Sequence, residues 1–302
     1  MFSGGLDSIL AGKVLAAQNI EITLVCFESH FFSCGKAAES ARKAGMELRV
    51  ADIAKEHLEI VENPRYGRGA GANPCIDCHL LMLKTAKAIM ENEGFDFVAT
   101  GEVMGQRPMS QNKLSLEIVE RESGLVGKLL RPLSAKILRP TEAEIKGLVN
   151  RERLYGLSGR SRKPQLELAK QFGLKEIPQP GGGCILTEPE YGKRLKELMA
   201  KCANFSGGDA RLLRCGCPIW EGDLLVVVAR DQDDCIALKD LAKTGDWLFE
   251  PQNFPGPIVI IRDFGKLSAP NLETIKNLGE KYVLRYSKKI PFNPKIKINR
   301  PD

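Results

Sequence analysis

Apolar and polar positions alternate in two different ways along the chain. Up to residue 204, short apolar runs that predict strands alternate with amphipathic stretches that predict helices. Because such alternation is typical of βαβ units, residues 1–204 are predicted to form an α/β domain with a doubly wound parallel sheet. The strands are predicted at 22–27, 48–52 and 95–100, and the helices at 36–44, 80–93, 141–150 and 190–201.

The pattern changes in residues 205–302. The short apolar runs LLVVVA, WLFE and IVIIR are separated by turns rich in glycine, proline and aspartate, and a helix is predicted around 271–278. This pattern predicts a smaller C-terminal α+β domain. The basic, proline-punctuated tail at 288–302 is predicted to be either a docked extended arm or a frayed end.

The composition limits the class of protein but does not identify an activity. The chain has 302 residues, enough for two domains, and its 43% hydrophobic and 27% charged residues are ordinary for a globular protein. The formal net charge of +6 favours contact with a polyanion such as RNA, although many enzymes are equally basic. Without a secretory segment or an apolar run of about 18 residues, we expect no membrane partner and a cytoplasmic location.

Nine cysteines in such a chain favour metal binding or catalysis over a disulfide scaffold. Several of them require no function. Cys26 lies within the apolar run ITLVCF and is predicted to be an ordinary packing residue, as are Cys202 and Cys235.

The sharpest local signal is the segment SGGLDS at residues 3–8, which leads directly into an amphipathic helix. Two glycines allow the backbone to approach an anion closely, and the helix start and the hydroxyls of Ser3 and Ser8 supply hydrogen-bond donors. Asp7 beside phosphates requires a bridging Mg²⁺ or a role in orienting the loop. Since the loop has no lysine of the GxxxxGK type, it favours pyrophosphate chemistry over ordinary γ-phosphoryl transfer.

This segment resembles the PP-loop of the ATP pyrophosphatases, which cleave ATP between its α and β phosphates and form adenylated intermediates. The resemblance implies ATP and Mg²⁺ as cofactors and Asp7 as a catalytic residue. In that family a hydrophobic strand precedes the loop, whereas here only Met1 and Phe2 do, so we expect either a start further upstream or a missing first strand. The cofactor-binding residues so implied are Ser3, Gly4, Gly5, Asp7 and Ser8.

Three cysteines are candidates for sulfur or metal chemistry. Cys75 and Cys78 form a CxxC pair immediately before the predicted helix at 80–93, where the helix dipole favours thiolates, and Cys184 follows the triple glycine 181–183. Three thiolates suffice to hold three irons of a [4Fe–4S] cluster and to leave the fourth iron open for hydrosulfide.

Two other interpretations of these cysteines stay open. One is a structural zinc site, which would need His79 or Cys215 as a fourth ligand. The other is a cysteine pair that carries persulfide and closes a disulfide.

The segment TGEVMGQ at 100–106, followed by Ser110 and Gln111, is similar to the TGExxGQ…SQ segment of tRNA 4-thiouridine synthases, which lies beside the nucleotide. LRPL at 130–133 also resembles an element shared by the 4-thiouridine and 2-thiouridine synthases. The further nucleotide-binding residues assigned with this resemblance are Phe27, Gly101, Glu102 and Gln106.

The same resemblance gives roles to the cysteines. Cys78 and Cys184 match the cysteine pair of the 2-thiouridine synthases, which implies that they are catalytic. Where cluster-free members have aspartate, this chain has Cys75, which favours the iron–sulfur branch, with Cys75, Cys78 and Cys184 as cluster ligands. The matches are spread over residues 1–190, and the sequence lacks the N-terminal RNA-binding extension of the 4-thiouridine synthases.

Two parts of the chain are candidates for RNA contact. Arg160, Arg162 and Lys163 form either an RNA-binding patch or a solvated helix face. The segments at 245–250 and 255–262 are similar to the signature of the RNA-binding module of the NFACT family of ribosome-associated proteins, although a domain that only packs on the catalytic one is the alternative. Candidate phosphate contacts in this region are Arg262, Lys266, Arg285, Lys288 and Lys289.

Together these patterns predict an ATP-dependent tRNA sulfurtransferase that adenylates a uridine carbonyl oxygen and replaces it with sulfur, at position 2 or position 4. The expected partners are tRNA and a sulfur donor, either sulfide or a cysteine desulfurase or other persulfide carrier. One alternative is an AMP-forming amide or nitrile synthase that acts on a small molecule. The other is a non-catalytic RNA-binding protein with a degenerate loop.

Overall fold

The computed structural model describes residues 1–179, 184–265 and 272–301. The chain divides into two compact units, Met1–Thr187 and Glu188–Asp302. The sequence pattern predicted a division at 204, after the helix at 190–201. In the structure that helix belongs to the second unit, where the Tyr191 hydroxyl donates to the Ala210 carbonyl oxygen across 2.9 Å.

The first unit mixes helices with short strands. Its strands are β1 Leu24–Glu28, β2 Leu48–Asp52, β3 Val98–Ala99 and β4 Leu129–Leu130. Its helices are α1 Leu6–Ala16, α2 Gly35–Lys43, α3 Ala54–Glu62, α4 Cys75–Glu93, α5 Lys113–Ser123, α6 Glu142–Ile145 and α7 Lys163–Gln171.

The strands of this unit pair in parallel, β1 with β2 and β3 with β4. Among the described residues they form two separate two-stranded sheets, so the α/β class is observed and a single doubly wound sheet is not. Met1 and Phe2 contact one strand of each pair. The Phe2 amide donates to the Val25 carbonyl oxygen across 2.7 Å, and the Met1 amino group donates to the Ala99 carbonyl oxygen across 2.6 Å.

Two apolar clusters hold the helices of the first unit in place. Leu10 and Val14 of α1 pack with Leu168 and Ala169 of α7. Another cluster joins α4 and α5 to β1 and β3, and its members include Val25, Leu83, Val98 and Val119. Burial of each large apolar side chain in these clusters stabilises the unit by about 1.5–3 kcal/mol. The packing also places the N-terminal ends of α1 and α4 against the same segment, 100–106.

The second unit is an α+β module around an antiparallel sheet of order β5-β6-β8-β7-β9. Its strands are β5 Cys217–Glu221, β6 Leu224–Val228, β7 Trp247–Pro251, β8 Val259–Arg262 and β9 Ile296–Asn299. Its helices are α8 Pro189–Lys201, α9 Gly207–Leu212, α10 Gln232–Leu241 and α11 Leu272–Arg285. Gly279 lets α11 approach the sheet, because a Cβ there would stand 2.3 Å from the ring of Phe249.

One sequence prediction for these elements is confirmed, and two need correction. The tail at 288–302 docks, since β9 pairs with β7. The helix predicted at 80–93 begins at Cys75, so the CxxC pair lies in its first turn and not before it. Cys26 is not an unpaired packing residue: it forms a disulfide with Cys34, the residue before α2. An apolar strand pattern predicts that Cys26 is buried, but it does not show that the fold brings Cys34 close to it.

Candidate functional site

The phosphate-loop candidate forms the start of α1. Gly5 is the N-cap residue, and no side chain caps this end, so the first amides of the helix are left without the usual side-chain acceptor. Ser8 donates its hydroxyl to the Gly5 carbonyl oxygen across 2.8 Å, and the Ser3 hydroxyl lies 3.4 Å from that of Ser8. A helix start with open amides and two hydroxyls is a suitable site for an anion.

Two glycines of the candidate site have no room for a side chain. Gly4 has φ +72°, and a Cβ there would stand 2.6 Å from the Lys36 carbonyl oxygen in α2. A Cβ on Gly101 would stand 2.6 Å from the Ser8 amide nitrogen. The structure therefore brings the predicted segments 3–8 and 100–106 into backbone contact, although they are far apart in sequence.

Asp7 is held from one side by the same segment. Gln106 donates its side-chain amide to Asp7 Oδ2 across 3.1 Å. The other oxygen, Oδ1, is buried without a hydrogen-bond partner among the described residues, and so is Gln106 Oε1. Burial raises the pKa of Asp7, while Gln106 and Arg162 act in the opposite direction. Two partnerless oxygens of this kind fit Mg²⁺, which prefers carboxylate and other oxygen ligands.

Gln165 belongs to this cluster, although the sequence analysis did not name it. It lies on α7, is only 1% exposed, and has no hydrogen-bond partner for either amide atom among the described residues. It lies close enough to Asp7 to lower the pKa of that carboxyl group. Within a basic segment, a glutamine looks like part of a solvated helix face, so only the packing of α7 against α1 reveals its position.

Glu102 belongs to a buried polar network next to the candidate site. Its carboxylate accepts hydrogen bonds from His79, Thr100 and Arg131, each across 3.0 Å. Burial alone would raise the pKa of Glu102, but the charge of Arg131 and the contact with His79 bring it down to about 2. Both carboxylate oxygens are engaged, so Glu102 acts in this structure as a support that joins the 100–106 segment to α4.

The three candidate cysteines lie close together. The turn that carries Cys184 is fixed to the segment before α4, because the Ala72 amide donates to the Leu186 carbonyl oxygen across 2.8 Å. Gly71 permits this approach, since a Cβ there would stand 2.3 Å from the same oxygen. Cys75 and Cys184 are both near enough to Cys78 to influence its titration. The preceding glycines 181–183 lie outside the described residues.

The surroundings of Cys78 do not favour a thiolate. Burial, followed by the neighbouring Cys184, Cys75 and Asp77, raises the pKa of the Cys78 thiol, contrary to the expectation from its position at a helix start. In the described part of the chain, no group of three or more His, Cys, Asp or Glu side chains is arranged to hold a metal ion. The iron–sulfur cluster on Cys75, Cys78 and Cys184 therefore stays a prediction, and no step below depends on it.

The remaining predicted residues have varied environments. Phe27 is buried in β1, at 6% exposure. Arg160 and Lys163 are exposed, whereas Arg162 is half-buried at the N-cap of α7 and lies near Asp7. RNA binding by these three residues stays a prediction, and the position of Arg162 equally suits a phosphate of a bound nucleotide.

In the second unit, Arg262 is not available for RNA. It is 1% exposed, and its guanidinium donates to Asp246 Oδ1 across 2.8 Å and is also paired with Asp209. The suggestion that Arg262 contacts phosphate is therefore wrong, because a charge pattern in sequence cannot show that its partners are buried with it. Arg285, Lys288 and Lys289 are exposed, and Lys266 lies outside the described residues.

Comparison with known proteins finds a relative that matches part of the chain. A curated protein of Clostridium acetobutylicum, named a probable tRNA sulfurtransferase, is 29% identical over 115 residues. The chain is thus similar to part of this relative. The match covers 35% of this chain and 29% of the length of the relative. No family model matches the chain, and no helix among the described residues is long and apolar enough to cross a membrane.

Proposed function

We propose that this protein is an ATP-dependent tRNA sulfurtransferase that activates a uridine carbonyl oxygen by adenylation and replaces it with sulfur. The similarity to a probable tRNA sulfurtransferase supports a sulfur-transfer role and tRNA as the substrate. We also propose that the two parallel strand pairs belong to one doubly wound sheet, with Met1 and Phe2 between them.

The observation that carries the proposal is the position of one segment, 100–106, between two chemical groups. Gln106 reaches Asp7 of the phosphate loop across 3.1 Å. Glu102 reaches His79, the residue after Cys78, across 3.0 Å. An anion site and a group of cysteines are thereby connected through a single segment, as required if one carbonyl group is first adenylated on its oxygen and then attacked on its carbon by sulfur.

The first step uses the start of α1. The uridine oxygen attacks the α-phosphorus of ATP, the bond to the β-phosphate oxygen breaks, and pyrophosphate leaves. The open amides at the helix start and the Ser3 and Ser8 hydroxyls would stabilise charge on the departing phosphates. Mg²⁺ would be held by Asp7 and Gln106 oxygens and would offset phosphate charge when bound.

The second step uses two of the cysteines. With a persulfide on Cys184 supplied by the sulfur donor, its terminal sulfur attacks the activated carbon, the carbon–oxygen bond breaks, and AMP leaves with the oxygen. The Cys78 thiol then attacks the inner sulfur of the adduct, which releases the thiocarbonyl and leaves a Cys78–Cys184 disulfide. An external dithiol reductant returns the pair to thiols. Because the pKa of Cys78 is raised, its thiol must lose its proton as it attacks, and the uracil ring nitrogen gains a proton as the thiocarbonyl forms; we therefore assign Cys78 to this later step and Cys184 to sulfur delivery.

Reconstitution with purified protein tests the proposal. The mixture contains unmodified tRNA, Mg·ATP, a cysteine desulfurase with cysteine, and a dithiol reductant, and nucleosides are analysed by mass spectrometry alongside AMP and pyrophosphate. We expect one AMP and one pyrophosphate for each thiouridine, with none formed by Asp7→Asn. Turnover with ammonia and a small carboxylic acid but without RNA would instead indicate an amide synthase, and RNA binding without pyrophosphate release would indicate a non-catalytic protein.

A further inference from the structure

The buried amide of Gln165 has no hydrogen-bond partner among the described residues, and this destabilises the folded protein. Leaving a buried polar group unsatisfied destabilises the folded state, and here both the oxygen and the nitrogen of one side chain are unsatisfied among the described residues. Residues with this property are candidates for contact with a ligand, because a bound molecule can supply the missing hydrogen bonds.

The position of Gln165 identifies which ligand site it serves. It lies on the buried face of α7, beside Leu168 and Ala169, which pack with α1. It faces Asp7, whose Oδ1 is also partnerless, and Gln106 holds the other oxygen of the same carboxylate. Within the described part of the chain, four buried polar atoms without partners therefore belong to the Asp7 carboxylate and to the two glutamine side chains near it.

We propose that Gln165 is a positioning residue for the phosphate loop, an inference that rests on the proposed function. Gln106 holds one oxygen of the Asp7 carboxylate, and Gln165 lies near the same carboxylate without a hydrogen bond to it. When Mg·ATP binds, the amide of Gln165 completes its hydrogen bonds with the Asp7 carboxylate or with the water shell of the cation. The side chain thus weakens the free protein and strengthens the complex, as residues of preorganised sites often do.

Replacement of the amide by an apolar group of similar length separates this role from a structural one. In Gln165→Met the unsatisfied amide is lost, so we expect the Tm of the ligand-free protein to rise by roughly 2–4 °C. We expect the Kd for Mg·ATP, measured by calorimetry without RNA, to increase about tenfold, because each unsatisfied ligand-side hydrogen bond costs about 1.4 kcal/mol. Gln171→Met, at an exposed position of the same helix, should change neither quantity.

The outcomes are distinct. A Tm that falls in Gln165→Met would show that the amide stabilises the free protein, and unchanged ATP affinity would show that it does not serve the site; either result overturns the inference. If Gln165→Met does not fold, Gln165→Asn provides the same test, and wild-type ATP affinity in that variant overturns the inference. A wild-type protein that binds no ATP would overturn the proposed function as well, whereas one that binds ATP equally well without Gln165 would leave the proposed function intact.

Discussion

Gln106 donates a hydrogen bond to Asp7 across 3.1 Å. This bond joins two segments that are 99 positions apart in the sequence. The contact matters because the neighbouring oxygens, Asp7 Oδ1 and Gln106 Oε1, stay buried without partners among the described residues. The pair is therefore fixed in orientation and still has the capacity to bind a ligand.

Gly101→Ala should disturb the phosphate loop from outside the loop. Its Cβ would stand 2.6 Å from the Ser8 amide nitrogen, and the contact atoms are backbone, so the start of α1 must shift. We expect a loss of about 1–3 kcal/mol in unfolding free energy and a weaker affinity for Mg·ATP, measured by denaturant titration and calorimetry.

Gly12→Ala is the matched control for this change. Nothing lies within 4 Å of a Cβ at Gly12, which is inside α1. Helix propensity predicts a gain of about 0.5–1 kcal/mol, with unchanged ATP affinity. Equal ATP affinity in both variants would contradict the close contact between the loop and the 100–106 segment.

Cys184→Ser and Cys78→Ser should separate adenylation from sulfur transfer. Without either thiol, the persulfide sequence cannot be completed, and we expect thiouridine formation to fall by about 10³-fold or more. Pyrophosphate release should persist, because it uses the start of α1. Cys235→Ser, which changes a half-buried cysteine of the second unit, should leave both activities unchanged.

Cys75→Ser distinguishes a persulfide pair from a cluster. The persulfide sequence needs only Cys78 and Cys184, so this variant should retain sulfur transfer from a persulfide donor. Loss of transfer, together with loss of iron and of visible absorbance from anaerobically purified protein, would replace the persulfide route by the cluster route.

His57 should make stability depend on pH. It is fully buried between Phe31 and Phe32, and burial, with a smaller effect of His30, lowers its pKa to about 4. The folded state thus favours the neutral ring, so its stabilising contribution is complete above the unfolded pKa of about 6.5 and is lost as the pH falls towards 4. The loss amounts to about 3 kcal/mol.

His57→Phe removes this titration. Urea unfolding between pH 7 and pH 4 should show a steeper loss of stability for the wild-type protein than for the variant. Parallel pH profiles would mean that His57 titrates normally when folded.

Arg262 and the lysines of the tail should respond differently to substitution. Arg262→Met leaves Asp209 and Asp246 buried without their shared partner, so we expect a loss of about 3–5 kcal/mol in the stability of the second unit.

The exposed pair Lys288→Glu and Lys289→Glu should change stability by no more than about 0.5 kcal/mol. The double variant should weaken tRNA binding and reduce its salt dependence, which filter binding at several salt concentrations would measure. Unaltered binding would exclude this surface as an RNA contact.

Local signals in the sequence predicted the elements well where one pattern decides the outcome. β2 has the predicted bounds, 48–52, whereas the helix predicted at 141–150 ends early, at Ile145. The open helix start after Gly5 was predictable because glycines, hydroxyls and a helix start are adjacent in sequence, while phosphate binding there stays a prediction.

Partners that come together only through packing were not predictable. Cys26 and Cys34 lie on different elements, and neither flanking sequence signals a disulfide. Nothing next to Arg262 or Gln165 in the sequence identifies the groups around them, and each is buried because its own helix or strand packs against another. Side-chain chemistry was thus easier to predict than side-chain surroundings.

The close approach of α2 to Gly4 couples a helix to a site that it does not line. Atoms of Lys36 and Ala37 occupy the space in which a side chain at position 4 would stand. A phosphate that immobilises the Gly4 backbone would therefore also suppress fraying of α2, and the amides of that helix would exchange with deuterium more slowly. Isotope exchange in this neighbouring helix would then report nucleotide occupancy.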